Sequence, residues 1–156
     1  MHPRLRHASA AAIRDFVSQR TLAVVGVSRS GKKFANFAYR ELRTKGYTLV
    51  PVNPGAETVE GERCYRSLLN LPGPVDGAVI IAPREQSLQV VREAAAAGIR
   101  RVWLQQGAES QPAIDACEDA GINVVAGECI LMFAGTEHWI HRGHRFVRRL
   151  FGTLPR

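Results

Sequence analysis

Long apolar runs are absent from this sequence. No stretch approaches the roughly 20 consecutive apolar residues that a membrane-spanning helix needs. The N-terminal segment also lacks the apolar centre of a secretory signal peptide. Ile13, Phe16 and Val17 instead have the spacing of the inner face of a short helix. We therefore expect a folded N-terminus, no membrane partner and a cytoplasmic location.

Cysteine is also scarce, since only Cys64, Cys117 and Cys129 occur. An odd number of widely spaced cysteines argues against a disulfide framework and against a structural zinc site. The side chains are therefore predicted to be reduced thiols. We interpret Cys129 as a structural residue, with thiol chemistry beside a bound ligand as the alternative.

Excess positive charge is missing from the middle of the chain. The formal net charge is +7, but residues 21–136 carry as many acidic as basic side chains. The excess lies within residues 1–20 and 137–156. We interpret these basic ends as solvated faces of terminal helices, so a nucleic-acid partner is not expected. Contact of the ends with nucleic acid or with a membrane surface is the alternative.

The C-terminal basic segment is predicted to form a helix over residues 137–150. His138, His141 and His144 lie within it, but at 3.6 residues per turn the first and the third face different directions. This spacing argues against a metal site. The apolar side chains of the segment would pack on the core or on a second copy of the chain, so a homodimer is left open.

The clearest positive feature is a strand followed by a glycine loop. Leu22–Val25 is a short apolar run, rich in β-branched residues, that ends at Gly26, as buried strands do. Residues 27–33 are then dominated by serine, glycine, lysine and arginine. This composition predicts a tight, cationic turn at the end of a strand.

A helix is predicted directly after this loop, over residues 34–45. Its inner face is assigned to the apolar residues at helical spacing, which are Phe34, Phe37, Ala38 and Leu42. At such a junction, free backbone N–H groups and the positive end of the helix dipole create an anion site. Residues 26–33 are therefore predicted to bind a phosphate group.

Strands and helices alternate along the rest of the chain. Further strands are predicted at 48–52, 77–81, 102–104 and 123–126, and further helices at 85–97 and 111–120. The helix over 85–97 is predicted to bury Leu88, Val91 and Ala95. Pro51 cannot donate a ladder hydrogen bond, so its strand is expected near a sheet edge, or Pro51 near the strand's end. The alternation predicts a single α/β domain, doubly wound and Rossmann-like, with a mainly parallel sheet of five or six strands.

The fold class indicates where a ligand should bind. In open parallel sheets, ligands lie beyond the carboxyl ends of the strands. This rule selects the stretches that follow the predicted strands: Gly26–Lys33, Asn53-Pro54, Ala82-Pro83-Arg84 and Gln105-Gln106-Gly107.

Three phosphate ligands compete for the loop. NAD would want an acidic residue at the end of the second strand, where Asn53-Pro54 stands, although NADP stays open because nearby cations could meet a 2′-phosphate. A nucleoside triphosphate is disfavoured because Lys33 occupies the Ser/Thr position that would ligate Mg²⁺. Coenzyme A, with a pyrophosphate and a 3′-phosphate, suits a cationic loop that lacks a ribose carboxylate.

The whole pattern resembles the CoA-binding domain family. The residues that carry the resemblance are Gly26–Arg29, Gly46-Tyr47, Pro51–Pro54, Gly61, Tyr65, Ser67-Leu68, Asp76, Pro83, Trp103–Gly107, Gly121 and Cys129–Phe133. Members are small Rossmann-like proteins similar to the CoA-binding domain of the succinyl-CoA synthetase alpha subunit. The resemblance covers about residues 17–133 of a chain interpreted as one domain over 1–156.

The resemblance implies which residues contact CoA or an acyl-CoA. The expected contacts are Gly26, Val27, Ser28, Arg29, Ser30, Lys32, Lys33, Asn53, Pro54, Ala82, Pro83, Gln106 and Gly107. It carries no catalytic residue, so we expect a binding module without chemistry of its own. The alternatives are a small NADP-dependent oxidoreductase, an enzyme that uses acyl-CoA, and an interaction protein with a vacant nucleotide fold.

Overall fold

The computed structural model describes residues 8–135, so the helix predicted over 137–150 lies outside the described residues. The strands are β1 Thr21–Val25, β2 Thr48–Val52, β3 Thr58–Val59, β4 Glu62–Arg63, β5 Gly77–Ile80, β6 Arg101–Gln105 and β7 Asn123–Glu128. The α-helices are α1 Ala10–Val17, α2 Phe34–Thr44, α3 Arg84–Ala96 and α4 Gln111–Asp119. Single 3₁₀ turns occur at Leu68–Asn70 and Ile130–Met132.

The central sheet has five parallel strands in the order β2-β1-β5-β6-β7. On one face, α3 and α4 pack through Val91 and Ile114 against strand residues such as Ile80 and Leu104. On the other face, α1 and α2 pack through Phe16 and Leu42. Helices thus cover both faces. The predicted α/β Rossmann-like class is confirmed, and of the five or six strands predicted the parallel sheet has five.

Strand β2 forms one edge of the sheet. It pairs with β1, where Val24 lies opposite Pro51, and this edge position agrees with the placement predicted from the proline. The backbone of Tyr65 donates to the carbonyl of Pro51 over 3.0 Å. The chain after the β3–β4 hairpin therefore lies beside the carboxyl end of β2.

The buried faces of α2 and α3 differ from the prediction. Phe34 and Phe37 are 47% and 49% exposed, whereas Ala35 and Asn36 are buried. In α3, Val91 is buried as predicted, but Ala95 is exposed, and Ser87 and Ala94 face the core. Four buried residues that the pattern did not assign are small or polar, namely Ala35 and Asn36 in α2 and Ser87 and Ala94 in α3.

No helix within residues 8–135 is both long enough and apolar enough to cross a membrane.

Candidate functional site

A cleft of about 880 Å³ opens at the carboxyl edge of the sheet, where the strand order reverses between β1 and β5. The helices that follow these two strands, α2 and α3, lie on opposite faces of the sheet. Their starts therefore diverge and leave a gap above the strand ends. Ligands of doubly wound folds bind at this point.

Gly26 forms the floor of the cleft, and its lack of a side chain is essential to the local geometry. Its φ is +110°, and a Cβ at this position would lie 1.8 Å from the carbonyl oxygen of Ile81. Its N–H donates to the carbonyl of Val52 over 3.0 Å. The backbone after β1 is therefore held close to the ends of both neighbouring strands.

Two helix N-termini border the cleft. Helix α2 begins after Lys33 and α3 begins after Pro83, and neither of these cap residues makes a side-chain capping hydrogen bond. Lys33, Phe34 and Pro83 all line the cleft. Because helix N-termini carry a positive partial charge, the start of α2 favours an anion, whereas the first turn of α3 carries the acidic Glu85.

Charged side chains divide the cleft into a basic part and a more acidic part. Lys33 and Arg66 line it from the side of α2 and β2, and neither forms an ion pair within residues 8–135. Glu85 and Glu93 line it from α3, together with the amides of Gln86 and Gln89. Phosphates are therefore favoured near Lys33, and uncharged, hydrogen-bonding groups are favoured along α3.

The loop between β1 and α2 is held in shape by Asn36, whose side chain is fully buried. Its Oδ1 accepts from the N–H of Ser28 over 3.1 Å, and its Nδ2 donates to the carbonyl of Ser28 over 2.8 Å. The same Nδ2 donates to Oε1 of Glu60 over 2.8 Å, and Arg40 donates to that oxygen over 3.0 Å. The β3–β4 hairpin thereby supports the loop from outside the cleft.

Replacing Asn36 with alanine should lower the free energy of unfolding by about 2 kcal/mol, because both backbone groups of Ser28 would lose their buried partner. Chemical denaturation followed by circular dichroism measures this change. The matched control is Asn70→Ala, since Asn70 is exposed and should change stability by less than about 0.5 kcal/mol. Equal effects of the two substitutions would contradict the supporting role of Asn36.

The structure brings together only part of the predicted contact set. The predicted residues that line the cleft are Gly26, Lys33, Asn53, Pro54, Ala82 and Pro83. The predicted residues outside its lining are Val27, Ser28, Arg29, Ser30, Lys32, Gln106 and Gly107.

The loop residues outside the lining make contacts within the loop itself. The side chain of Val27 is fully buried, and its carbonyl accepts from Nδ2 of Asn53 over 2.8 Å. The hydroxyls of Ser28 and Ser30 lie 3.1 Å apart and accept from backbone N–H groups of Ser30 and Lys32. These bonds hold the turn that leads to Lys33.

The turn after β6 is closed by an acidic residue. The N–H of Gly107 donates to Oε2 of Glu109 over 2.6 Å, and Arg84 lies 3.9 Å from the other carboxylate oxygen. Gln106 is exposed, while Gln105 is buried and accepts from the N–H of Ile130 over 3.0 Å. The N–H of Gly107 therefore has a partner within the chain.

Sequence reasoning missed several residues of the cleft wall, which are Phe34, Ala35, Arg66, Glu85, Gln86, Gln89, Val90 and Glu93. The cleft residues on α3 could have been predicted, because α3 begins directly after Pro83, which was itself predicted to contact the ligand. Arg66 gives no such local signal, because it follows a short hairpin. Only the bridge between Val52 and Tyr65 places it next to the end of β2.

The buried ionisable groups are not poised to react at neutral pH. Burial raises the pKa of Cys64, and it raises the pKa of Cys117 to about 12 with a further contribution from Glu118. Burial, followed by the charge of Glu62, raises the pKa of Tyr39 to about 12. These thiols and this phenol therefore stay protonated.

Within residues 8–135 no group of His, Cys, Asp and Glu could hold a metal ion, and His138, His141 and His144 lie outside that range.

Comparisons with known proteins identify the family of this chain. The family described as "CoA binding domain" matches residues 20–134. A conserved hypothetical protein from Pyrococcus furiosus, whose structure is solved, is 40% identical with a TM-score of 0.69, covering 72% of this chain and 97% of that one. The uncharacterized protein YneT of Bacillus subtilis is 26% identical over 127 residues, which are 81% of this chain and 94% of YneT.

A larger relative is an enzyme subunit. Subunit alpha of the ADP-forming acetate–CoA ligase II of Pyrococcus furiosus is 26% identical over 126 residues, which are 74% of this chain. The chain spans only 28% of the length of that subunit. The family match extends over most of the described residues, from just before β1 to two residues beyond the last 3₁₀ turn. This chain therefore belongs to the CoA-binding domain family.

Proposed function

We propose that this chain binds coenzyme A, or an acyl-CoA, in the cleft between β1 and β5. The observation that carries the proposal is the basic end of the cleft, where Gly26 and Lys33 meet the uncapped N-terminus of α2. A pyrophosphate there would accept hydrogen bonds from backbone N–H groups and pair with Lys33. The family match and the CoA ligase relative support the same ligand.

The remaining cleft residues suggest how the ligand is oriented. Asn53-Pro54 and Ala82-Pro83 flank the nucleotide at the ends of β2 and β5. Glu85 and Glu93 would repel phosphate, so the uncharged pantetheine arm runs along α3. Its amide groups suit hydrogen bonding with Gln86 and Gln89, which line that wall.

We propose that the predicted residues outside the cleft lining support ligand binding without lining the cleft. Arg29 and Lys32 are exposed on the loop and raise the positive potential around the phosphates. Ser28 and Ser30 hold the turn through their hydroxyls. Gln106 and Gly107 would contact only a ligand that extends across the end of β6.

We propose a binding role without catalysis, in the cytoplasm. The buried thiols of Cys64 and Cys117 are protonated at neutral pH, which makes them unsuitable as nucleophiles. We assign no ligase reaction to the chain, which spans 28% of the ligase subunit it resembles. Incubation with acetyl-CoA should therefore leave the thioester intact, as measured by chromatography against a protein-free control.

A thermal-shift screen against CoA, NADP and ATP with Mg²⁺ tests the ligand. A ligand that binds only the native state stabilises it by about 2.7 kcal/mol at 100 times its Kd. We expect CoA to raise the melting temperature and the other two ligands to leave it unchanged. A shift with NADP alone would favour an oxidoreductase, and no shift with any ligand would favour an interaction protein. Either result would overturn the proposal.

A further inference from the structure

Arg66 is held at the carboxyl end of β2 by backbone contacts of its neighbour. The N–H of Asn53 donates to the carbonyl of Tyr65 over 2.8 Å, and the N–H of Tyr65 donates to the carbonyl of Pro51 over 3.0 Å. These bonds form the bridge that pairs Tyr65 with Val52. Arg66 follows directly and lines the cleft beside Asn53 and Pro54.

The guanidinium of Arg66 is available to a ligand. Arg66 is exposed, and within residues 8–135 it forms no ion pair. The acidic residues of the cleft, Glu85 and Glu93, lie on α3 and not on the hairpin side. By contrast, the nearby Arg63 stacks over the ring of Tyr65, with its guanidinium carbon 5.5 Å from the ring centroid, and lies outside the cleft lining.

The two cations of the cleft mark two separate anion positions. Lys33 stands at the start of α2, and Arg66 stands beside the end of β2. In doubly wound dinucleotide sites the adenosine ribose lies near the end of the second strand, where an arginine accommodates the 2′-phosphate of NADP. The 3′-phosphate of coenzyme A is carried by the corresponding ribose. A ligand with a pyrophosphate and a third phosphate on its ribose would therefore engage both cations at once.

We propose that Arg66 binds the 3′-phosphate of coenzyme A and makes the site prefer CoA to 3′-dephospho-CoA. This inference rests on the proposed function, because it assumes that CoA occupies the cleft. Lys33 and the N-terminus of α2 bind the pyrophosphate that both ligands share. Arg66 contacts only the group that distinguishes them, so it determines specificity and adds little to the affinity for the shorter ligand.

Isothermal titration tests the assignment. The whole chain and the Arg66→Gln variant are each titrated with CoA and with 3′-dephospho-CoA at one fixed ionic strength. The native chain should prefer CoA. Arg66→Gln should weaken CoA binding about tenfold, or about 1.4 kcal/mol, and should change 3′-dephospho-CoA binding less than about twofold. Arg63→Gln removes the same charge three residues away and should leave both affinities within about twofold, since its side chain lies outside the cleft.

The other outcomes separate a failure of the Arg66 assignment from a failure of the proposed function. If the native chain binds CoA but Arg66→Gln weakens both ligands equally, or weakens neither, the assignment of Arg66 is wrong while the proposed function stands. The same conclusion follows if the native chain binds both ligands equally well. If the native chain binds neither ligand, the proposed function fails, and the assignment of Arg66 fails with it.

Discussion

Replacing Gly26 with alanine should lower the free energy of unfolding by about 4 kcal/mol, at the upper end of single-substitution effects. The added Cβ would lie 1.8 Å from the carbonyl oxygen of Ile81, which is backbone and cannot rotate away. The residue also has a φ of +110°, where L-residues are strained. Relief of the clash would separate β1 from β5 at the floor of the cleft. Urea denaturation followed by circular dichroism measures the loss of stability.

The matched control for this substitution is Gly46→Ala. Gly46 has a similar φ of +96°, but apart from its chain neighbours no atom of residues 8–135 lies within 4 Å of its added Cβ. The free energy of unfolding of this variant should fall only by the cost of placing an L-residue at positive φ, which is about 1–2 kcal/mol. The difference between the two variants therefore measures the close approach of the loop to Ile81. If both variants lose the same stability, the cleft floor is not constrained as the structure indicates.

Replacing Lys33 with glutamate should weaken CoA binding at least about 100-fold, or about 2.7 kcal/mol. The substitution places a negative charge where the pyrophosphate is proposed to bind, at the start of α2. Fold stability should be unchanged or slightly higher, because an acidic residue near a helix N-terminus is favourable. Isothermal titration with CoA, combined with a melting curve of the free protein, separates the two effects.

Lys32→Glu is the corresponding control, since it makes the same change of charge one residue earlier. Lys32 is exposed and lies outside the cleft lining. At physiological ionic strength a charge that does not contact the ligand is largely screened, so this variant should lose only about threefold in affinity. An equal loss in both variants would mean that the loop acts through its overall charge. If Lys33→Glu binds CoA with unchanged affinity, the loop over residues 26–33 is not part of the binding site.

The order and type of the main elements could be predicted from local sequence. The run before Gly26 is strand β1, and β2 spans 48–52 as predicted. Trp103, in the strand predicted over 102–104, is fully buried, and its Nε1–H donates to the carbonyl of Glu128 over 3.0 Å. These predictions hold because apolar patterning and glycine positions act within a few residues of the chain.

The faces of the helices and part of the cleft wall could not be predicted in this way. The pattern assigned Phe34 and Phe37 to the inner face of α2, but both are about half exposed, and Ala35 and Asn36 are buried instead. Asn36 is buried because its amide satisfies the backbone of Ser28 and a carboxylate from the hairpin. Such partners are distant in sequence and leave no periodic signal.

The sequence by itself determined the alternating α/β architecture, the glycine turn after the first strand and the cationic character of the loop. These properties depend on the conformational preferences and charges of neighbouring residues. Only the tertiary structure decided that Lys33 and Arg66 line one cleft while Lys32 and Gln106 lie outside it. The physical reason is that parallel strands bring segments distant in sequence to one edge of the sheet. The strand order and the position of the short hairpin then determine which side chains lie next to one another there.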